Sequence, residues 1–276
     1  MRIGKREFDT SGRKSYLAAI LNITPDSFSD GGNYLKEGAL RITERLIAEG
    51  ADIIDVGAQS TRPGAVMVSE EEECERLLPV LRSIKEHFDI PVSVDTFKSA
   101  VAKAALEEGA DMLNDECSLK TPGMAELLAA YEVPVVLMHS ENLPYGAVEE
   151  KERKGSITER VRKGIEESVS IAAEAGIAKD RLILDPGVGF HGGTKEDLSL
   201  LKHLKELHAL GLPLYLGVSR KSVIGNTLNI PVDQRDPHTA LLSVLAAQAG
   251  CSFIRVHNVA LNRQALDLWE AVQNSG

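Results

Sequence analysis

A rhythm of short apolar runs constrains this chain more tightly than any other feature. Runs at 17–21, 53–56, 92–94, 112–113, 133–138, 182–184, 214–218 and 253–256 alternate with amphipathic stretches at 35–48, 70–87, 99–108, 123–130, 157–175, 195–210, about 237–249 and 259–272. The runs have the length of strands and the stretches the periodicity of helices. Several stretches end in Gly before the next run, as in "AEGADIID", "EEGADMLN" and "QAGCSFIRV". Gly there can adopt the left-handed conformation that closes a helix. Strict alternation implies parallel strands, and strands covered on both sides read as continuously apolar. Eight such units suggest an α/β fold, the closed (β/α)8 or TIM barrel. An open doubly wound sheet is the structural rival, but no Gly-rich phosphate fingerprint follows the first run. Residues 1–15 read as a short N-terminal hairpin turning at Asp9-Thr-Ser-Gly12. No linker or low-complexity segment interrupts the chain, so 1–276 reads as one domain. The polar stretch 141–155 reads as a mobile loop.

Composition narrows the class. Hydrophobic residues make up 43% and aromatics only 4%, so a sizeable core must be mostly aliphatic. The formal net charge of −10 disfavours non-specific binding to nucleic acid or an anionic membrane. Cys74, Cys117 and Cys251 are scattered without ligand spacing, which fits a reducing compartment. The N-terminus lacks an apolar signal core, and no run reaches membrane-spanning length. The expectation is a soluble cytoplasmic protein.

In a barrel of this kind the active site is built at the C-terminal ends of the strands. The eight expected strands end in Asn22; Gly57 and "AQSTRPG"; Asp95-Thr96; Asn114-Asp115; Met138-His139; "DPGVGF" (185–190); "SRKS" (219–222); and Arg255-Val-His257-Asn258. The strand beginnings show no comparable gathering. An Asp or Asn after one strand is often only a turn former or helix cap, and His139 or His257 could be a satisfied core histidine. Polar ends on all eight point instead to a ligand site. Asp95 or Asp185 could accept paired N–H groups from an aminopyrimidinone ring, with Asn114 matching a mixed edge. Arg255, His257 and Asn22 offer donors and a metal contact for an anion. Lys221 and Ser222 open a helix, whose N–H groups also favour an anion.

These residues closely resemble the dihydropteroate synthases, the folate-pathway family targeted by sulfonamides. The likeness covers nearly the whole chain and rests on "ILNITPDSFSDGG", "STRPG", "SVDT", "ND", "LMH", "LDPGVGF", "SRKS" and "RVH" in order. It implies condensation of 6-hydroxymethyl-7,8-dihydropterin pyrophosphate with p-aminobenzoate, with Mg2+ as cofactor and catalytic roles for Asp95, Lys221, Arg255 and His257. By motif, Asp95, Asn114, Met138, Asp185 and Lys221 hold the pterin. Asn22, Arg255 and His257 hold the pyrophosphate, with the metal at Asn22. Thr61, Arg62, Pro63, Phe190 and Ser222 shape the p-aminobenzoate pocket, and Asp26, Ser27 and Phe28 belong to a lid. The family's usual homodimer through its last helices is compatible with an apolar face of Leu261, Leu266, Leu268, Trp269 and Val272, which could equally be packing against the barrel.

Four positions depart from the family pattern. Ala58-Gln59 replaces Gly-Glu before "STRPG", Asn258 replaces Asp after "RVH", His191-Gly192-Gly193 replaces the usual Lys after "GVGF", and Val223 replaces an aromatic. Two other readings share the barrel: a pterin-binding paralogue without synthase activity, and a pterin-dependent methyltransferase.

Overall fold

The computed structural model describes residues 1–23, 33–59, 67–141 and 154–275, with backbone alone for 33–35. The chain opens with a two-stranded antiparallel ribbon, β1 (Arg2–Ile3) and β2 (Arg6–Glu7). It then alternates strand and helix: β3 (Tyr16–Asn22), α1 (Asn33–Ala48), β4 (Ile53–Gly57), α2 (Glu70–His87), β5 (Val92–Asp95), α3 (Ser99–Glu107), β6 (Met112–Asp115), α4 (Met124–Ala129), β7 (Val135–Met138) and α5 (Ile157–Glu174). The second half adds β8 (Leu182–Asp185), α6 (Thr194–Lys202), β9 (Tyr215–Gly217), α7 (Ser222–Leu228), α8 (Asp236–Gln248), β10 (Phe253–Val256) and α9 (Val259–Gln273). All pairings from β3 to β10 are parallel, in the order β8-β7-β6-β5-β4-β3-β10-β9. A parallel bridge between Leu184 and Leu214, with Leu184 N–H donating to the Pro213 carbonyl at 2.9 Å, joins β8 to β9 and closes the barrel.

The eight expected strands are all present. One shortening has a chemical cause: Pro134 carries no N–H for the ladder, so β7 begins after it, whereas β9 covers only Tyr215–Gly217 of its run and Leu214 makes the bridge to Leu184. The helix expected over 195–210 ends at Lys202. There the His203 Nδ1–H donates to the Ser199 carbonyl, 2.7 Å away, and a 3-10 segment carries the chain on to Leu210. The expected hairpin turn is corrected. The ribbon turns at Gly4-Lys5, with Gly4 at φ +56°, while Asp9 accepts from the Ser11 N–H at 3.0 Å and bends the connection into β3.

Successive strand residues face opposite sides. Leu17, Ala19 and Leu21 of β3, with Ile54 and Val56 of β4, join the large aliphatic core beneath the helices. Tyr16, Ala18, Ile53, Met112, Val136, Ile183, Tyr215 and Phe253 form a separate core within the barrel, joined by Ile3 and Phe8 from the N-terminal segment. Phe8 meets Tyr16 edge-on with centroids 4.8 Å apart, and Phe253 at 5.8 Å. The barrel is thus floored by aromatic and aliphatic side chains at the strand beginnings. Inward-facing residues turn polar only toward the opposite end.

Candidate active site

Strand register assembles the polar end. Gly57 lies beside both Asn22 and Asp95, Asp95 beside Asn114, Met138 beside Asp185, and Arg255 beside Gly217. Asn114 and Asp185 are buried, while Asn22 is exposed at the open end of β3. Gly217 borders the site: a Cβ there would lie in ordinary contact with Asp185 Oδ2 at 3.6 Å and with Lys221 Nζ and Arg255 Cδ at 3.9 Å.

Arg255 organises the centre. Its Nε–H donates to Asp55 Oδ2 and a terminal N–H to Asp95 Oδ2. Asn114 Nδ2 reaches the same Asp55 oxygen at 3.5 Å. Burial pushes Asp95 well above the usual carboxylate range and the nearby Glu116 adds to the rise, against the pull of Arg255. Two carboxylates around one guanidinium leave an excess of acceptors, which suits a ligand rich in N–H donors.

A second pair lies across the mouth. Burial raises Asp185 to about 6, opposed by Lys221 and by the Gly187 N–H that donates to Asp185 Oδ1 at 2.8 Å. Burial lowers Lys221, opposed chiefly by Asp185. Lys221 Nζ donates to the Val188 carbonyl at 2.5 Å and sits 4.6 Å from the centre of the Phe190 ring. His257 is oriented from β9: its Nδ1 lies 2.9 Å from Ser219 Oγ, which also accepts from the His257 N–H at 3.1 Å.

The fold therefore brings together Asn22, Asp95, Asn114, Met138, Asp185, Lys221, Arg255 and His257 at one mouth, with Phe190 and the helix-opening Ser222 at its edge. Asp26, Ser27, Phe28, Thr61, Arg62 and Pro63 lie outside the described residues. Arg255 is held by carboxylates rather than standing free for an anion. Asp115 is a local turn former: its carboxylate accepts from the Cys117 and Leu119 N–H groups at 2.9 and 2.6 Å. Asn258 caps α9, accepting from the Leu261 N–H at 3.1 Å while donating to Asp236 at 3.2 Å. Val223 is core, and Gln59 accepts from the Val68 N–H at 2.8 Å. Sequence reasoning passes over Asp55 and Ser219 as partners of the site. The signal for Asp55 is a carboxylate inside the run "IIDV", where burial demands a cationic or donor partner.

A family model described as "Pterin binding enzyme" matches residues 18–257. The chain is 42% identical over 276 residues to a dihydropteroate synthase of Clostridium beijerinckii, covering 99% of each. A dihydropteroate synthase of Clostridium difficile, crystallised in the presence of pteroic acid, superposes with a TM-score of 0.86 at 37% identity, covering 99% of this chain and 98% of that one. One from Xanthomonas albilineans, solved with 4-aminobenzoic acid, gives 0.87 at 40% identity, covering 97% and 98%. A sequence match along the whole barrel, together with this acceptor-rich, cation-edged mouth, places the chain in the dihydropteroate synthase family of pterin-binding enzymes.

Proposed function

We propose that this chain, as one pterin-binding domain over 1–276, joins 6-hydroxymethyl-7,8-dihydropterin pyrophosphate to p-aminobenzoate, giving 7,8-dihydropteroate and pyrophosphate in folate biosynthesis. One observation carries the reading: a deep set of acceptors, buried Asn114 and Asp185 with the half-buried Asp95, shares a mouth with the cations Lys221 and Arg255. The aminopyrimidinone edge supplies the donors that such acceptors need, and a pyrophosphate needs the cations. Sulfonamides, which mimic p-aminobenzoate, are expected competitors.

In this mechanism Asp185 and Asn114 hold the pterin edge, Met138 packs on its ring and Lys221 donates to it. Arg255 keeps three of its five N–H groups after binding Asp55 and Asp95. Those groups and His257 receive the charge that grows on the leaving oxygens. The C–O bond to pyrophosphate breaks with both electrons going to oxygen, and Asp95 stabilises the positive charge developing on the pterin methylene. The amine lone pair then closes the C–N bond and its proton passes to solvent. Positioning rather than strong activation of the amine does most of the work. Thr61, Arg62, Pro63, Phe190 and Ser222 form the p-aminobenzoate pocket, and Asp26, Ser27 and Phe28 keep water from the reacting carbon.

Mg2+ prefers a few protein oxygens and shares substrate phosphates. Asn22, exposed at the open end of β3, offers such an oxygen, so the residues fit. Bound there, Mg2+ would supply charge stabilisation to the leaving pyrophosphate. A cytoplasmic location suits three free cysteines. Homodimerisation through α8 and α9 suits their exposed Leu241, Leu245, Leu268 and Val272. Incubation with the pterin pyrophosphate, p-aminobenzoate and Mg2+ tests the activity. Pyrophosphate release that requires both organic substrates is expected; its absence from folded protein would sink the reading.

A further inference from the structure

His191 follows the "GVGF" turn, and the synthase mechanism gives it no task. It lies beyond the end of β8, next to His139 and Glu141 beyond β7. The two imidazole rings stack with centroids 5.4 Å apart and planes 25° from parallel. Both histidines are more than nine-tenths buried, at 8% and 7% exposure. One ligand atom from each of His139, Glu141 and His191 can be chosen so that all lie within 4.8 Å of one another.

The chemistry of each group points the same way. His191 Nε2 lies 2.8 Å from the Pro186 carbonyl, which can only accept, so the proton of the neutral ring sits on Nε2. Nδ1 then carries the lone pair, and it faces Glu141 Oε2 at 4.0 Å. A ring N–H tied to a backbone carbonyl is how proteins commonly orient a metal-binding histidine. His139 Nε2 is buried with no hydrogen-bond partner among the described residues, an arrangement that native interiors rarely tolerate. The ring can lie there only because α5 presents Gly164: a Cβ at that position would come within 2.1 Å of His139 Nδ1. Arg160 binds Glu141 through its Nε–H at 2.6 Å, and it is shared with Glu196 at 2.7 Å. Arg160 Nη2 also reaches Glu141 Oε2 at 3.4 Å, the same oxygen that lies 4.0 Å from His191 Nδ1.

We propose that His139, Glu141 and His191 form a divalent transition-metal site, best suited to Zn2+, distinct from the Mg2+ position at Asn22. Two imidazoles and one carboxylate are a zinc donor set, with a water in the fourth position. Zinc bonds of about 2.0–2.1 Å set tetrahedral ligand atoms about 3.3 Å apart, so the widest pair must draw in by about 1.5 Å. The site would tie the segment after β7 to the segment after β8. The Glu141 N–H already donates to the Phe190 carbonyl at 3.2 Å, so the metal would brace one wall of the expected p-aminobenzoate pocket.

Calorimetric titration of the metal-free full chain with Zn2+ tests this, with Co2+ absorption as the coordination readout. One equivalent bound at micromolar or lower concentration is expected, along with a four-coordinate cobalt spectrum. His191→Ala should weaken Zn2+ at least about tenfold. If that variant fails to fold by circular dichroism, Glu141→Gln, a change of one atom on a partly exposed side chain, decides on the same threshold. No stoichiometric uptake by the unaltered chain, or a smaller loss in the deciding variant, overturns the proposal.

Discussion

Asp185 is the side chain whose chemistry is easiest to interrogate. A carboxylate that accepts from ring N–H groups loses that match when it becomes an amide, so Asp185→Asn should raise the pterin Kd roughly tenfold to a hundredfold by calorimetry. Its pH behaviour follows from burial. The ordinary value is 3.8 and the folded value about 6, so the folded chain holds this proton more tightly than the unfolded one. Its contribution to stability is therefore complete in acid and is lost as pH rises toward about 6. Pterin binding runs the opposite way, because only the ionised group accepts at both oxygens without carrying a competing O–H. Affinity should tighten as pH rises through about 6, and Asp185→Asn should remove that component. Arg255 makes a different prediction because it serves two carboxylates as well as an anion. Arg255→Ala should weaken the pterin pyrophosphate far more than p-aminobenzoate, and it should lower stability in urea by about 3 kcal/mol by stranding Asp55 and Asp95. Equal losses of the two affinities would contradict a dedicated anion role. Most of this residue set is readable as polar ends of apolar runs. Asp55 escapes such a reading because it lies within a run, and a polar strand end can be a helix cap alone, as Asn258 is.

Strands were the most legible elements, since eight bursts of aliphatic residues have few alternative uses. What pattern alone missed was decided by single groups. Pro134 trimmed one strand, and at His203, whose ring bonds the Ser199 carbonyl, a helix gives way to a 3-10 segment although its apolar periodicity runs on. The N-terminal turn was misplaced because Asp9-Thr-Ser-Gly12 has every mark of a hairpin turn, yet Gly4 takes the positive φ that reverses the ribbon. The inner layer at the strand beginnings also gives a test at this scale. Phe253 is fully buried against Phe8, Tyr16 and Tyr215. Phe253→Ala should cost about 3–5 kcal/mol of unfolding free energy by denaturant titration. Because that cavity opens far from the mouth, protein that remains folded should retain its pterin Kd.

At the scale of the whole molecule, α8 and α9 pack side by side and expose Leu241 at 60%, Leu268 at 69% and Val272 at 60%, while Leu266 faces the core. The apolar periodicity of α9 is thus divided between the core and an exposed face, which periodicity alone could not separate. The proposed homodimer predicts that Leu241→Glu with Leu268→Glu halves the mass measured by sedimentation and leaves the thermal melt of the barrel close to unchanged. No helix among the described residues is long and apolar enough to cross a membrane. The aromatic floor carries one last consequence, which concerns traffic. Ile3, Phe8, Tyr16, Tyr215 and Phe253 stopper the barrel at one end, so among the described residues the polar mouth is the doorway. The proposed reaction then predicts ordered traffic, with the pterin entering before p-aminobenzoate and the joined product leaving by the same door. Calorimetry checks it: p-aminobenzoate should bind measurably only once the pterin site is filled.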